Sequence, residues 1–548
     1  VPEQAAADPS VLAVDVRRFP WIRRLAADYA YNFSSVAPFF SGNPVEPSAW
    51  SDAIARTQQH PRRRQEIAAV IAAQQRRRGT PQPAIEAAAA LADSRTVAIV
   101  TGQQAGLFGG PLFTLLKAIT ALKLAERVTA AHQVPCVVIF WIDSEDHDWD
   151  EVRTCQVFDA AMTPRVISLP PRQAAAAQEP VASIRLDETV AGALHTLEEA
   201  LPDTEFKTEL LETLRAIYKP GVGMAEAFGI WLERTLGNRG LVVFDAADPA
   251  AKPLAGAVFE RELTTAGETV RRAAQAGSDL VDRGYHAQVQ PHDALALFHV
   301  EAGRQAIRQQ NGQFVVGEQS FRPALLIEQS NDRPGTFSPN VLLRPIVQDT
   351  LFPTICYVAG PNELAYLGQL RTVYDHFGIP MPLMYPRASA TILDSAALRF
   401  LGKYNLPLEA LQQQDESALN ALLAAQIPPA VDEALSAADR SVEESMTRVI
   451  EVMRTLDATL EGTAKTTRGR MQHDLQTLRA KTIQAAKRRD ETLRRQYHRT
   501  RALAFPNGHP QEREIGFVSF LNQYGPALVE RLHAQIPVDL GVHWVVVV

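Results

Sequence analysis

Cysteine is scarce: Cys136, Cys155 and Cys356 are the only ones in 548 residues, and none belongs to a CxxC pair. A disulfide framework and a thiolate zinc site are therefore excluded, and a reducing cytoplasm is the expected setting. Cys136 and Cys356 sit in apolar, strand-like runs and read as core residues rather than nucleophiles. Long hydrophobic runs are missing too, since nothing approaches the roughly 20 apolar residues that cross a bilayer. The opening VPEQAAADPS has no basic stretch followed by an apolar one, so it does not read as a signal peptide. Charge of one sign is not in excess: 55 Lys and Arg face 62 Asp and Glu, a net of −7, which argues against a chain that coats nucleic acid. Neither a GxGxxG fingerprint nor a GxxxxGK loop ending in Ser or Thr is present, so no dinucleotide or P-loop motif signals a ligand.

What is there begins with residues 96–126, TVAIVTGQQAGLFGGPLFTLLKAITALKLAE. A short apolar strand runs into a loop holding Gly102, Gly106, Gly109 and Gly110. Pro111 then opens a helix on which Leu112, Leu115, Leu116, Ile119 and Leu122 recur at helical spacing. Uncovered loop amides at a helix N-terminus would make a positive concavity for phosphate or carboxylate, and a tight structural turn is the equal alternative. Lys117, two turns into the helix, is expected to face solvent. The strand-to-polar-tip pattern repeats in VPCVVIFWID (134–143), RGLVVFDAAD (239–248), TLFPTICYVAGPNELAYLGQL (350–370) and IPMPLMYPRAS (379–389). Such a series implies an α/β protein with a parallel, doubly wound sheet that binds ligands at the carboxyl ends of its strands. Residues 163–223 and 255–335 break the rhythm and read as insertions. The second carries HAQVQ, LALFHVEAG, RQAIRQQ and GQFVVG, a small antiparallel element.

The C-terminal third is different. Leu435, Val442, Val449 and Leu456 keep a seven-residue repeat, with Met446, Met453 and Leu460 beside it, which predicts a coiled-coil seam. Gly462 and Gly469 are expected to bracket a reversal. From 468 to 501 eleven Lys and Arg stand against Asp474, Asp490 and Glu491, a net of +8, whereas residues 431–461 carry a net of −5. An antiparallel hairpin would oppose these two sets. Such pairing, or dimer formation, accounts for the basic run better than RNA contact does, because Tyr497 is the sole aromatic there for base stacking. The tail GVHWVVVV is strand-like and is expected at a sheet edge.

Three groups of residues carry chemistry. Asp143, Glu145, Asp146, His147, Asp148, Asp150 and Glu151 crowd the tip of the second strand. Carboxylates with one imidazole can bind Mg²⁺, capture an amine or act as base toward it, while helix capping by Ser144 and Asp146 is the structural alternative. The density favours function for Asp146 and His147, with Asp150 and Glu151 on a solvated face. The spacing matches no established metal motif. In SPNVLLRPIVQDTLFP (338–353), Asn340, Arg344, Gln348 and Asp349 punctuate an apolar segment. Arg344 is either a carboxylate clamp or a structural ion-pair partner. Glu363 and Tyr366 follow the Gly360-Pro361 turn, where Glu363 could equally cap a helix, and Arg387 ends the next strand as a second anion-binding candidate.

Taken together, TGQQAGLFGGPLFTLLKAI, FWIDSEDHDWDEV, SPNVLLRPIVQD and YVAGPNELAYLGQL, with DYAYNFSSVAPFF (28–40) and PNGHPQERE (506–514), resemble the bacillithiol-biosynthesis cysteine-adding enzymes nearly end to end. The resemblance implies a Rossmann-like core with two inserted connecting segments and a C-terminal antiparallel coiled-coil domain, in a homodimer. The division is then 1–162, 224–254 and 336–400 for the core, 163–223 and 255–335 for the insertions, 401–505 for the helical domain, and 506–548 for a segment returning to the core. It also implies a ligase of the last step of bacillithiol synthesis, joining the cysteine carboxyl to the glucosamine amine of glucosaminyl malate. On such a substrate Arg344, Arg387 and the amides of Gly106, Gly109 and Gly110 would bind the malate carboxylates. Asp146 and His147, with Glu145, would orient the ammonium and accept its proton. Gln103, Gln104, Asn340 and Gln348 would fix hydroxyls or a developing oxyanion, and Asp349, Glu363 and Tyr366 complete the substrate-binding set. The HIGH- and KMSKS-type signatures of class I aminoacyl-tRNA synthetases, to which the family is likened, are not recognisable. Activation of the cysteine carboxyl stays open among ATP with Mg²⁺, a charged carrier and another donor. Two further readings stay open as well: a nonenzymatic nucleotide- or RNA-binding protein with Arg488, Arg489, Arg494 and Arg495 on its arm, and a nucleotidyl transferase.

Overall fold

The computed structural model describes residues 11–172, 179–289, 293–301, 303–426, 429–489 and 491–548, without the side chains of residues 483 and 486–489. Residues 173–178 of the first insertion, Gln290 of the HAQVQ piece, Asp490 and the side chains of Arg488 and Arg489 lie outside the described residues. The chain divides into two compact units, Val1–Ile392 with Gln511–Val548, and Leu393–Pro510.

In chain order the strands of the first unit are β1 (Val11–Asp15), β2 (Val97–Gln103), β3 (Cys136–Ile142), β4 (Thr154–Phe158), β5 (Pro164–Ser168) and β6 (Leu241–Asp245). After these come β7 (Ala294–His299), β8 (Gln305–Gln310), β9 (Gln313–Val316), β10 (Gln319–Phe321) and β11 (Phe337–Pro339). The last four are β12 (Thr354–Ala359), β13 (Leu383–Pro386), β14 (Ser389–Leu393) and β15 (Val542–Val547). Five of them form an all-parallel sheet in the order β6-β3-β2-β12-β13. Ranked by appearance this is 3-2-1-4-5, the order of a Rossmann fold, with its switch point between β2 and β12. The apolar strands read from sequence are continuous because helices bury the sheet on both faces: β12 is buried at every position and β2 at all but its last. Trp141 and Phe352 pack on Phe244 at 5.2 and 5.1 Å between ring centroids, one of several aromatic clusters that fill the interior.

The second insertion builds an antiparallel sheet, β10-β9-β8-β7-β11. LALFHVEAG, RQAIRQQ and GQFVVG supply β7, β8 and β9, while the described part of HAQVQ forms no strand. β11, an edge strand of this sheet, lies wholly beyond residue 335, where the insertion was expected to end. The strand in GVHWVVVV, β15, is not an edge: it is the middle of a three-stranded sheet between β1 and β14.

The second unit contains two long helices, Pro429–Leu456 and Leu460–Arg489. Arg468 Nη1 reaches Glu443 Oε1 at 2.9 Å and Arg479 Nη2 reaches Asp432 Oδ1 at 2.9 Å, so the acidic and basic helices oppose each other in antiparallel register. The reversal falls at residues 457–459, where Asp457 Oδ1 accepts from the Thr459 amide at 2.8 Å. Gly462 and Gly469 do not bracket it; both lie inside the second helix. An aspartate that caps its own turn does locally what the glycines were expected to do. Tyr497, the stacking candidate, is buried.

Candidate active site

Two cavities open at the carboxyl ends of β2, β3 and β12, where the strand order reverses. The smaller, of about 160 Å³, is lined by Gln103, Gln104, Trp141, Asp143, Arg344, Tyr357, Glu363 and Tyr366, with Gly102 and Val341. The larger, of about 340 Å³, is lined among others by Gly106, Gly110, Phe113, Thr114, Glu151, Cys155, Gln156, Arg513 and Glu514. Gln103 and Gln104 belong to both walls.

Arg344 opens the helix Arg344–Leu351 and is buried. Its Nη2 donates to the Tyr366 hydroxyl at 3.2 Å, its Nη1 donates to Gln348 Oε1 at 3.2 Å, and its Nε lies 3.8 Å from Asp143 Oδ2. Behind it, Gln348 Nε2 donates to Asp349 Oδ1 at 2.9 Å and Tyr374 donates to Asp349 Oδ2 at 2.5 Å. Gln348 and Asp349 therefore lie in the core and hold Arg344 rather than line a cavity. Burial pushes the Asp349 carboxyl up, against the hydrogen bonds it accepts. Asn340 is also not at a cavity wall: its Oδ1 accepts from the amides of Leu342 at 2.9 Å and Leu343 at 3.3 Å and so fixes the approach to this helix.

Lys117 does not face solvent. It is buried at the switch point, where its Nζ donates to the Gly102 carbonyl at 2.8 Å, to Gln103 Oε1 at 3.1 Å and to Glu363 Oε1 at 2.6 Å. Burial lowers its pKa, while the charge of Glu363 opposes that shift. The lysine thus ties the tip of β2 to the tip of β12 and holds Glu363 at the smaller cavity.

The acidic tip after β3 splits in four directions. Asp143 lines the smaller cavity, and its carboxyl is pushed up by burial, with Asp146 and Glu145 adding in the same direction against Arg344 and Arg304. Glu145 is turned away into a buried ion pair with Lys252, which also donates to the Phe337 carbonyl at 3.1 Å. It is not placed to move a proton at either cavity. Asp146 accepts from Gln104 Nε2 at 2.6 Å and from Arg304 Nη1 at 3.1 Å, and Arg304 reaches His147 Nδ1 at 3.3 Å. Asp146 and His147 line neither cavity; they meet them through Gln104. Arg304, from the second insertion, carried no signal in sequence because RQAIRQQ reads only as a polar strand. Asp150 is exposed and pairs with Arg153, and Glu151 is exposed at the larger cavity.

The glycine loop is a packed turn. The amides of Gly106, Gly109 and Gly110 donate to the carbonyls of Gln104, Gly106 and Leu107 at 2.9, 3.0 and 3.1 Å, so they do not form an open anion cradle. Arg387 is likewise consumed: its Nη2 donates to Glu512 Oε1 at 2.8 Å in a buried pair, and it lines neither cavity. The Cys155 thiol, at the larger cavity, is pushed up to about 12 by burial, which removes it as a nucleophile near neutrality. Among the described residues no group of three or more His, Cys, Asp or Glu is placed to hold a metal ion.

A 3-2-1-4-5 parallel sheet with adjoining cavities at its switch point defines a Rossmann-like ligand-binding protein carrying a helical C-terminal domain. Residues 12–388 match the family model for bacillithiol biosynthesis BshC, N-terminal Rossmann-like domain, and residues 390–548 match that for the C-terminal coiled-coil domain. The chain belongs to the BshC family. It is 32% identical over 531 residues to a protein of Salinibacter ruber, covering 95% of this chain and 96% of that one. It is 34% identical over 464 residues to a protein of Chlorobaculum tepidum, at 81% of each, and 30% identical over 531 residues to one of Solibacter usitatus, at 96% and 98%. All three bear the name "Putative cysteine ligase BshC".

Proposed function

We infer that this chain is an amide-forming ligase that joins the cysteine carboxyl to the glucosamine amine of glucosaminyl malate, the last step of bacillithiol synthesis. The carrying observation is the meeting of two unequal cavities at Gln103 and Gln104 on the ligand edge of the sheet. A condensation gains most of its rate from holding two reactants side by side, and this adjacency supplies it. The name shared by the relatives points to the same reaction class.

The attacking amine must be neutral and must lose a proton as the bond forms. Asp143 is the acceptor: it lines the smaller cavity, its amide is bonded to the Gln103 carbonyl at 3.0 Å, and burial pushes its carboxyl up, which makes it the more basic carboxylate. Gln104 donates to Asp146, which leaves its carbonyl oxygen free to accept from a sugar hydroxyl or the amine. Arg513, exposed on the larger cavity, is the cation for a malyl carboxylate. Asp146, His147 and Arg304 act as positioning residues for Gln104. As the C–N bond forms, the leaving group on the activated cysteine carboxyl departs, and whether ATP with Mg²⁺ or another donor installs it is what the two arms of the test below distinguish. A homodimer in a reducing cytoplasm completes the reading, supported by three unpaired cysteines and by apolar side chains left exposed on the helical hairpin. Among the described residues no helix is long and apolar enough to cross a membrane.

The test is incubation with glucosaminyl malate and isotope-labelled cysteine, with and without ATP and Mg²⁺, read by mass spectrometry. Labelled bacillithiol is expected, and Asp143→Asn is expected to lower kcat by about 100-fold or more. Folded wild-type protein that gives no product under either condition would sink the ligase reading, and an active Asp143→Asn variant would sink the assigned base.

A further inference from the structure

The smaller cavity has features that amide formation alone does not explain. Its lining cation is hidden and its anions are shown: Arg344 exposes 9% of its side chain, against 25% for Glu363 and 33% for Asp143, and Lys117 behind Glu363 exposes 2%. A ligand entering therefore meets carboxylates first. Glu363 is held on one oxygen by Lys117, while among the described residues its Oε2 has only the Tyr357 hydroxyl at 3.4 Å, so it keeps acceptor capacity. Size narrows the occupant further. At about 160 Å³ the cavity is well below the roughly 300–1,000 Å³ of sites that enclose drug-sized ligands, whereas the adjoining cavity of about 340 Å³ falls within that range.

Resting on the ligase reading above, we propose that the smaller cavity is the subsite for the zwitterionic head of cysteine, with Glu363 accepting from its α-ammonium. Lys117 acts as a positioning residue that keeps Glu363 aimed. This arrangement also settles which amine reacts. Both substrates carry one, and an ammonium clamped on a carboxylate keeps its proton and cannot attack, so the glucosamine amine is the nucleophile. The larger cavity then takes the malyl group and the body of the sugar, whose amine reaches past the shared wall of Gln103 and Gln104 to Asp143 at the edge of the smaller cavity.

Equilibrium binding separates the sources of the amine. Tryptophan fluorescence or calorimetry of the full chain is measured with cysteine, with 3-mercaptopropionate, which lacks the ammonium, and with glucosaminyl malate. Wild-type protein is expected to bind cysteine at least about tenfold more tightly than 3-mercaptopropionate, a comparison that needs no variant and so no assumption about folding. Glu363→Gln is expected to raise the Kd for cysteine by about tenfold while leaving that for glucosaminyl malate within about twofold. Equal affinity for cysteine and 3-mercaptopropionate overturns the subsite. A shift confined to glucosaminyl malate overturns it too and places the sugar amine at Glu363. Either result, obtained with wild-type protein that still makes bacillithiol, leaves the ligase reading standing. Failure of wild-type protein both to bind cysteine and to make product removes both.

Discussion

Lys117 shows how a single side chain can be misread and why. Lysines are seldom buried, so the prior favours solvent. The helix Leu112–His132, however, buries residues on every side through its first half, from Leu112 to Leu122 with only Phe113 less than buried. A lone cation in an otherwise apolar stretch of LFTLLKAITAL was the available signal, because a helix apolar all round is a core helix. Its partner Glu363 could not be foreseen from spacing, since 246 positions separate the two. A second buried group gives a direct test of stability. His543 on β15 bonds through Nδ1 to the Ser389 hydroxyl at 2.7 Å and through Nε2 to the Thr391 hydroxyl at 2.8 Å. Burial pushes its pKa down to about 4, with Arg387 acting in the same direction and Glu512 opposing. The unfolded chain takes up this proton near its ordinary value of 6.5, so between that pH and about 4 the unfolded state binds more protons. Stability from this group is complete above the upper value and is lost as the pH falls through the window, by about 3 kcal/mol in all. Urea unfolding at pH 7 and pH 4 should show wild-type protein losing about that much more than His543→Gln, and parallel losses would refute the assignment.

At the scale of elements, the parallel sheet was legible because each strand is an apolar run ending in polar residues, and buried parallel strands have no other way to look. The glycine loop was legible only as a loop. Whether its amides face a ligand or its own carbonyls depends on φ and on neighbours far along the chain, and the pattern GQQAGLFGG encodes neither. Gly109 has φ +97°, and a Cβ there would lie 2.3 Å from the Phe517 ring and 2.9 Å from Trp231. These rings stack on each other with centroids 6.0 Å apart and cannot both give way. Gly109→Ala should therefore lose upward of about 3 kcal/mol in chemical denaturation. Gly110→Ala, at φ +73° and ψ −167° with a nearest contact of 3.4 Å to Thr114 Oγ1, meets backbone strain but no packed ring and should lose less, about 1–3 kcal/mol. Equal losses would mean that the loop yields and that packing against Phe517 does not set the turn. The candidate site was legible in part for a related reason. Strand tips name themselves, so Gln103, Gln104, Arg344, Glu363 and Tyr366 could be picked out, but which tip residues are consumed by ion pairs depends on tertiary partners such as Glu512 and Lys252.

The whole molecule raises the question of what the helical hairpin is for. Its ion pairs are exposed and each contributes little, so the charge opposition sets the antiparallel register more than it stabilises the pair. The seam read as one heptad row does not behave as one. Leu435, Val442 and Met446 are half-buried within the hairpin, but near the reversal Val449, Val452, Met453 and Leu456 remain exposed, Val452 by 68% and Leu456 by 81%. These four follow i, i+3, i+4, i+7 spacing and form one apolar stripe that the hairpin's own second helix leaves uncovered. A second copy of the chain presents the same stripe, and a twofold axis would bury each against the other. The homodimer is therefore expected to form through this stripe. Light scattering behind size exclusion should give about twice the 60.2 kDa of one chain. The double substitution Val452→Glu and Leu456→Glu, which sets like charges against each other across the axis at a cost of several kcal/mol, should give the monomer at micromolar concentration with an unchanged circular dichroism spectrum. A variant that stays dimeric would place the interface elsewhere on the chain, and a wild-type monomer would remove the dimer itself, leaving the exposed stripe to a different partner.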